Sequence, residues 1–384
     1  MAGSNYDVII AGAGSVGTPM AMSLARRGVK VLCLDSEASA GQGNNKCAIG
    51  GARATHSEPA KVILGLRSLS VFRTWKEEHG DDIGWHQGGY TYVAYDEETM
   101  ELFRSTVPQQ QEAGLNINLI DAEEMTRLVP GINPEGLLGG TWSPEDGSAS
   151  PMTSCYAFYR KAVELGAEFR FRERVTGMET SGSRVASVRT DRGNYGCGAV
   201  VNCAGSFATE VGRMAGVDLP VYPESHEAGV TEPVRRLFDP MVVDIRRAPG
   251  SANYYFYQHD TGQVVFCITP DPPIPGTDIR ETSEFLPLVA PRMTGLYPRL
   301  ANLKVRRVWR GIYPMSPDGS PILDRVGPDN HYAAVGMCGQ GFMLGPGIGE
   351  VMARTITGGD TEEDRQVLRE LRLDRGFTSQ EALK

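Results

Sequence analysis

Tyr6-Asp-Val-Ile-Ile-Ala11 is a short, β-branched apolar run, and it breaks at once into Gly12-Ala-Gly-Ser-Val-Gly17. Val16 to Arg27 then carries the spacing of a helix, with Met20, Leu24 and small alanines on its face. Val29–Leu34 reads as a second buried strand and ends at Asp35, 23 residues after Gly12. Strand, G-x-G-x-x-G, helix, strand, acid is the order of a dinucleotide-binding βαβ unit. Each residue has a physical task there. Gly12 permits the tight turn, Gly14 lets backbone approach a pyrophosphate, and Gly17 lets helix and strand pack closely. The helix start presents unpaired N–H groups and a positive dipole end to phosphate. Asp35 can accept hydrogen bonds from ribose hydroxyls. The motif alone does not separate NAD from FAD.

Composition narrows the class. The chain has 384 residues, which suits two domains, and 46 glycines, well above the usual ~7%. Glycine excess in an ordered chain points to backbone packed closely against something. The net charge of −9 and the lack of a basic tract argue against nucleic acid as a partner. The seven cysteines are scattered with no C-x-x-C pair, which suits reduced thiols in a cytoplasmic protein and predicts no metal or iron–sulfur site. No apolar run is long enough to span a membrane, and no secretory leader is visible.

Four later segments carry further signals. Asn44-Asn-Lys-Cys-Ala-Ile-Gly-Gly-Ala-Arg53 is a polar, glycine-rich loop, and Val200–Gly205 is a short strand ending in glycine. Trp309-Arg-Gly-Ile-Tyr-Pro314 precedes Ser316–Leu323. Tyr332–Glu350 runs strand, glycine turn, helix start. In this order the segments resemble the D-amino-acid-oxidase-like family of FAD-dependent oxidoreductases. The likeness is greatest to the beta subunits of heteromeric sarcosine oxidase and dye-linked L-proline dehydrogenase, with glycine oxidase further off. The resemblance covers about Tyr6 to Thr357.

It implies an α/β fold: a Rossmann-like FAD-binding domain with an inserted mixed-sheet substrate domain of α+β type. The FAD domain is expected over residues 1–85, 140–210 and 305–360, the substrate domain over 86–139 and 211–304. Gly88–Ala94, Tyr254–Tyr257 and Val264–Ile268 read as strands of the second. Residues 361–384 read as a charged surface helix or tail, a solvated appendage.

The resemblance also implies site residues. Cofactor contacts are expected from Gly12, Gly14, Ser15, Val16 and Gly17, from Asp35 and Ser36, and from Val175, Ala204 and Gly205. Asn45, Lys46 and Cys47 match the loop along the flavin. Gly339, Gly341, Phe342 and Met343 match a helix start aimed at the flavin's N1/C2=O edge, where its dipole would stabilise developing negative charge. Arg53 matches an arginine beside flavin and substrate carboxylate, and a guanidinium fork suits that anion. His56, His226 and Tyr313 are the remaining catalytic candidates, with Glu227 behind them.

Departures from the pattern matter equally. Gly311–Pro314 lacks the cysteine that attaches FAD in monomeric sarcosine oxidases. Pro151 stands where heteromeric sarcosine oxidase attaches FMN through histidine. FAD should therefore be noncovalent, while a noncovalent FMN at a subunit interface stays open. Tyr313 replaces the carboxylate-binding arginine of D-amino acid oxidases, and Met343 replaces a lysine of sarcosine oxidases. No lysine occurs between Lys161 and Lys304, the interval that supplies the oxygen-activating lysine of family oxidases.

The expected activity is oxidation of the C–N bond of a small secondary amine or amino acid, such as sarcosine, proline or an opine-like compound. Hydride would pass to flavin N5, in a dehydrogenase. Two alternatives stay open: an FAD-dependent 2-hydroxy-acid dehydrogenase, and a flavin-carrying electron-transfer subunit of a larger complex. The expected partners are the small-molecule substrate and an acceptor protein or partner subunit.

Overall fold

In the computed structural model, which describes residues 5–378 and 380–383, the N-terminal apolar run is the strand Asn5–Ala11. It lies parallel between Val31–Asp35 and Asn194–Asn202. A central parallel strand is covered on both faces, which is why Ile9 and Ile10 are both fully buried. Among the described residues the first sheet has eight strands. Outward from the centre it adds Glu168–Phe171 on one side, and His331–Val335 and Ile322–Arg325 on the other. The antiparallel pair Val175–Ser181 and Arg184–Thr190 branches from Asn194–Asn202.

Helix Gly17–Ala25 is buried along its whole length, between Gly341–Ile356 and Pro151–Glu164. Glycine makes this contact possible. A Cβ at Gly345 would strike the Ser15 carbonyl, one at Gly347 the Leu64 carbonyl, and one at Gly349 the Met20 backbone. Each interior glycine costs a helix about 1 kcal/mol relative to alanine. Backbone-to-backbone packing in the main core offsets that cost.

The second sheet, among the described residues, also has eight strands, in the order Val305–Met315, Tyr222–Pro233, Gln263–Asp271, Gly250–Gln258, Met241–Asp244, Tyr90–Ala94, Gly139–Ser143, Asn118–Asp121. All neighbours are antiparallel except Met241–Asp244 beside Tyr90–Ala94. Two sequence boundaries need correction. Gly139–Ser143 and Val305–Met315 both belong to this sheet rather than to the first. The latter pairs with Tyr222–Pro233 along nearly its full length. The chain crosses to the first sheet only after the proline- and glycine-containing turn that follows it.

The expected solvated tail is also corrected. Glu362–Leu371 is a helix opened by a Thr361/Asp364 capping box. Asp364 is fully buried and pairs with Arg354 (Nε–Oδ2 2.6 Å) and Arg67 (Nη1–Oδ1 2.5 Å), while Val367 and Leu371 join the main core. The charges that suggest a surface helix are thus partly spent on buried pairs. Further on, Glu381 and Leu383 are buried as well. Among the described residues, no helix is long and apolar enough to cross a membrane.

Candidate active site

One long cavity runs from the carboxyl ends of the first sheet's central strands to the face of the second sheet. At its first end the glycine turn is sterically fixed. Gly12 has φ +112°, and a Cβ there would collide with the Cys203 carbonyl; a Cβ on Gly17 would collide with the carbonyl of Gly12. Gly14 is different. No atom lies within 4 Å of its missing Cβ, and it faces the cavity. A side chain there would fill the space a phosphate needs. Asp35 Oδ2 accepts from the Ala13 N–H at 2.7 Å and Oδ1 from Glu37 N–H at 2.8 Å. Each oxygen keeps a second lone pair for an outside donor. Ser15, Val16, Ser36, Val175, Ala204 and Gly205 line the same stretch.

Midway, the start of helix Gly341–Ile356 meets the cavity. Gln340 supplies no side-chain cap, so the first N–H groups have no intrahelical or capping partner. Gly339 has φ +81°, and any side chain there would run into the Tyr313 ring. Gly341, Phe342 and Met343 lie on the wall. Opposite, Asn44–Cys47 forms a short 3-10 turn. Asn45 Nδ2 donates to the Pro151 carbonyl at 3.0 Å, and its Oδ1 is buried without a partner. Cys47 lines the cavity and its thiol approaches the Arg310 carbonyl at 3.5 Å; burial pushes its pKa up, against a thiolate role. Lys46 points to solvent and is not on the wall.

The second sheet closes the far end. His226 and Tyr313 stack with ring centres 3.8 Å apart and planes 11° from parallel. The Tyr313 hydroxyl meets that of Tyr255 at 3.1 Å. His226 sits opposite Gly311 across the strand pair. Burial lowers the His226 pKa, although Glu224 Oε2 lies 3.8 Å from Nε2. The imidazole is neutral at pH 7, and its Nδ1 is buried with no partner. Burial likewise raises the Tyr313 phenol, which stays protonated. Glu227 is also on the wall, with both carboxylate oxygens accepting from Thr282 (2.7 and 2.8 Å).

Arg53 reaches this end but is already engaged. Nη1 donates to the Thr55 carbonyl and lies 3.1 Å from His56 Nδ1, while Nη2 donates to the Leu383 carbonyl at 2.9 Å. His56 does not line the cavity. It is fully buried behind Arg53, where burial and the guanidinium lower its pKa to about 3. Sequence reasoning also missed part of the wall: Tyr90, Tyr92, Met241, Asn253, Tyr255 and Thr269. Period-2 alternation in Tyr254-Tyr-Phe-Tyr257 was the available signal. Tyr254 and Phe256 enter one core, while Tyr255 packs in the other and faces the cavity.

Residues 7–355 match the family described as FAD dependent oxidoreductase (DAO). The chain belongs to this family. L-proline dehydrogenase from P. horikoshii has a similar structure, with a TM-score of 0.91 and 30% identity over 97% of this chain and 98% of that one. Sarcosine oxidase subunit beta of Rhodobacter capsulatus is 25% identical over 92% of this chain and 85% of its own length. Hydrogen cyanide synthase subunit HcnC of Pseudomonas aeruginosa is 27% identical over 92% and 90%. FAD is thus the cofactor of this DAO-family oxidoreductase. The bare approach at Gly14, the acceptor Asp35 and the uncapped helix start are the features such a molecule requires.

Proposed function

We propose that this chain oxidises the C–N bond of a small secondary amine or amino acid, as a dehydrogenase with noncovalent FAD. The observation that carries the reading is the neutral His226–Tyr313–Tyr255 group facing the uncapped Gly341 helix start across one cavity. The Gly12–Gly17 turn and Asp35 would hold the pyrophosphate and ribose. The Asn44–Cys47 turn, Ala204–Gly205 and the helix start would hold the flavin. When bound, FAD supplies the acceptor for a hydride from the carbon next to nitrogen.

The chain's residues do the rest. An amine must be neutral to give up hydride, and an end wall carrying a neutral imidazole whose protonation burial opposes, beside protonated phenols, favours the uncharged amine over the ammonium. Tyr255 and Tyr313 offer hydroxyls that orient a polar substrate without adding charge. Nearby apolar wall, Met241 among it, keeps water out. Two of the relatives, sarcosine oxidase subunit beta and hydrogen cyanide synthase subunit HcnC, are named as subunits, which supports a partner subunit or acceptor protein here. An FMN would then lie at that interface, and Pro151 gives it no covalent anchor.

The test is anaerobic reduction of the purified yellow protein by amines, N-methyl amino acids, imino acids and 2-hydroxy acids. Bleaching by an amine supports the proposal. Bleaching by hydroxy acids alone would replace it with the 2-hydroxy-acid reading.

A further inference from the structure

Residues 380–383 return to the substrate end of the cavity and cover it from outside. The Leu383 carbonyl accepts from Arg53 Nη2 at 2.9 Å and from the Tyr92 hydroxyl at 3.3 Å. The Leu383 side chain packs in one cluster with Tyr90, Tyr92 and Met241, all of which line the cavity. Glu381 is 4% exposed. Its carboxylate pairs with fully buried Lys61 and lies 3.6 Å from His56 Nδ1. Its Oε1 accepts from the Ser57 N–H (2.9 Å), the Ser57 hydroxyl (2.7 Å) and the Leu383 N–H (3.0 Å).

The charges of this corner balance. Arg53 and Lys61 are the buried cations. Glu381 and Asp146 are the buried carboxylates, the latter accepting from Ala54 N–H at 2.9 Å and the Thr55 hydroxyl at 2.6 Å. Among the described residues, the other cation on the cavity wall is Arg174, which follows Glu173 beside the Asp35 end. A substrate carboxylate entering the far end therefore meets an arginine with two nitrogens already bonded and a corner with no net charge. Burying an anion there is unfavourable, because only the remaining N–H groups of Arg53 and the neutral tyrosine hydroxyls can meet it and no net positive charge is left to balance it.

We infer that segment 380–383 determines substrate specificity: by occupying Arg53 and neutralising Lys61, it disfavours a carboxylate beside the reacting amine relative to an uncharged group. The inference rests on the amine-oxidising reading above and narrows its substrate class to amines whose non-reacting end is uncharged. Glu381 is a positioning residue in this scheme, since it acts through Lys61 and through the chain that carries the Leu383 carbonyl.

The experiment uses FAD-loaded protein and two matched pairs, L-proline with L-prolinamide and sarcosine with sarcosinamide. Anaerobic flavin-reduction rates over a range of substrate concentrations give the limiting rate and Kd for each substrate, and from them a carboxylate-to-amide ratio of rate over Kd for each pair. Four proteins are compared: wild type, a deletion of residues 380–384, Glu381→Gln, and Glu381→Gln with Lys61→Met. Wild type should prefer the amide. Deletion and Glu381→Gln should each raise the ratio at least tenfold, through substrate affinity rather than limiting rate. The double variant, which restores the charge balance, should return within threefold of wild type. The isosteric Glu381→Gln carries the test if the deletion does not fold. An unchanged ratio, a shift toward the amide, or a double variant that keeps the shift overturns the inference while leaving amine oxidation intact. Reduction by lactate or lactamide but by neither amine pair overturns the amine reading and this inference with it.

Discussion

Asp35 has a structural task and, in the function proposed above, a ligand task as well. Its two oxygens already tie down the Ala13 and Glu37 N–H groups, so the glycine turn depends on it. Asp35→Ala should weaken FAD binding more than tenfold, since hydrogen bonds to a charged acceptor are worth about 1.5–3 kcal/mol each. Titration of the apoprotein with FAD checks this, and unchanged affinity would remove Asp35 from the site. His56 gives a prediction of a different kind. Its folded pKa of about 3 lies below the ordinary 6.5, because burial and Arg53 oppose protonation. The unfolded chain therefore binds a proton that the folded one refuses, so His56 lowers stability as pH falls from about 6.5 toward 3. The slope is roughly 1.4 kcal/mol per pH unit. Asp146 works in the opposite direction: burial raises its pKa to about 6, so its share of stability increases as pH falls from 6 toward its ordinary 3.8. Urea midpoints between pH 7.5 and 5 should fall less for His56→Gln than for wild type. Parallel curves would show that His56 binds its proton equally in the folded and the unfolded chain, and would overturn the lowered pKa.

At the scale of elements, what could be read in advance follows from how local the physics is. Gly12, Gly14 and Gly17 were legible because a turn, a bare approach and a close contact all arise within one βαβ unit. The strands read at Gly88–Ala94 and Tyr254–Tyr257 were legible from their aromatic residues; the first begins later, at Tyr90, and the second extends over Gly250–Gln258. Arg53 was legible as a residue near the site but not in its role, because the Leu383 carbonyl that holds it lies 330 positions away. The buried Lys61–Glu381 pair and the docked tail left no signal for the same reason. Strand Val305–Met315 was placed with the wrong sheet because it directly precedes the turn leading into the glycine segment. The glycines of helix Gly341–Ile356 carried two meanings, and the structure separates them along the helix. Gly339 and Gly341 border the cavity, while Gly345, Gly347 and Gly349 serve packing. Gly347→Ala should therefore lower stability by about 1–3 kcal/mol through forced backbone shifts, with the flavin spectrum unchanged. Thermal unfolding checks it, and a variant as stable as wild type would show that the helices can separate without cost.

The whole molecule decides where the electrons go next. A reduced flavin reacts quickly with oxygen when a nearby positive charge stabilises the superoxide formed by the first electron transfer, an effect strongest where water is scarce. Here the second sheet, which forms the far wall, supplies tyrosines and a neutral histidine instead. Among the described residues, no lysine lines the cavity. Arg53 is bonded to the chain's own carbonyls. Arg246, one of the arginines in the lysine-free interval, makes paired bonds to Asp244 (2.9 and 2.7 Å), and Arg247 pairs with Asp271 at 3.0 Å; neither is on the cavity wall. The expected outcome is slow reoxidation of the substrate-reduced protein in air-saturated buffer and fast reoxidation by an artificial dye, each followed by return of the flavin absorbance. Tail deletion provides an internal contrast, because it takes the Leu383 acceptor from Arg53 and the counter-charge from Lys61. If positive charge is what the cavity lacks, the deleted protein should reoxidise faster in air than wild type does, with the dye rate little changed. Rapid peroxide-forming reoxidation of the wild type would make the protein an oxidase, and the electrostatic account of its oxygen reactivity would have to be abandoned.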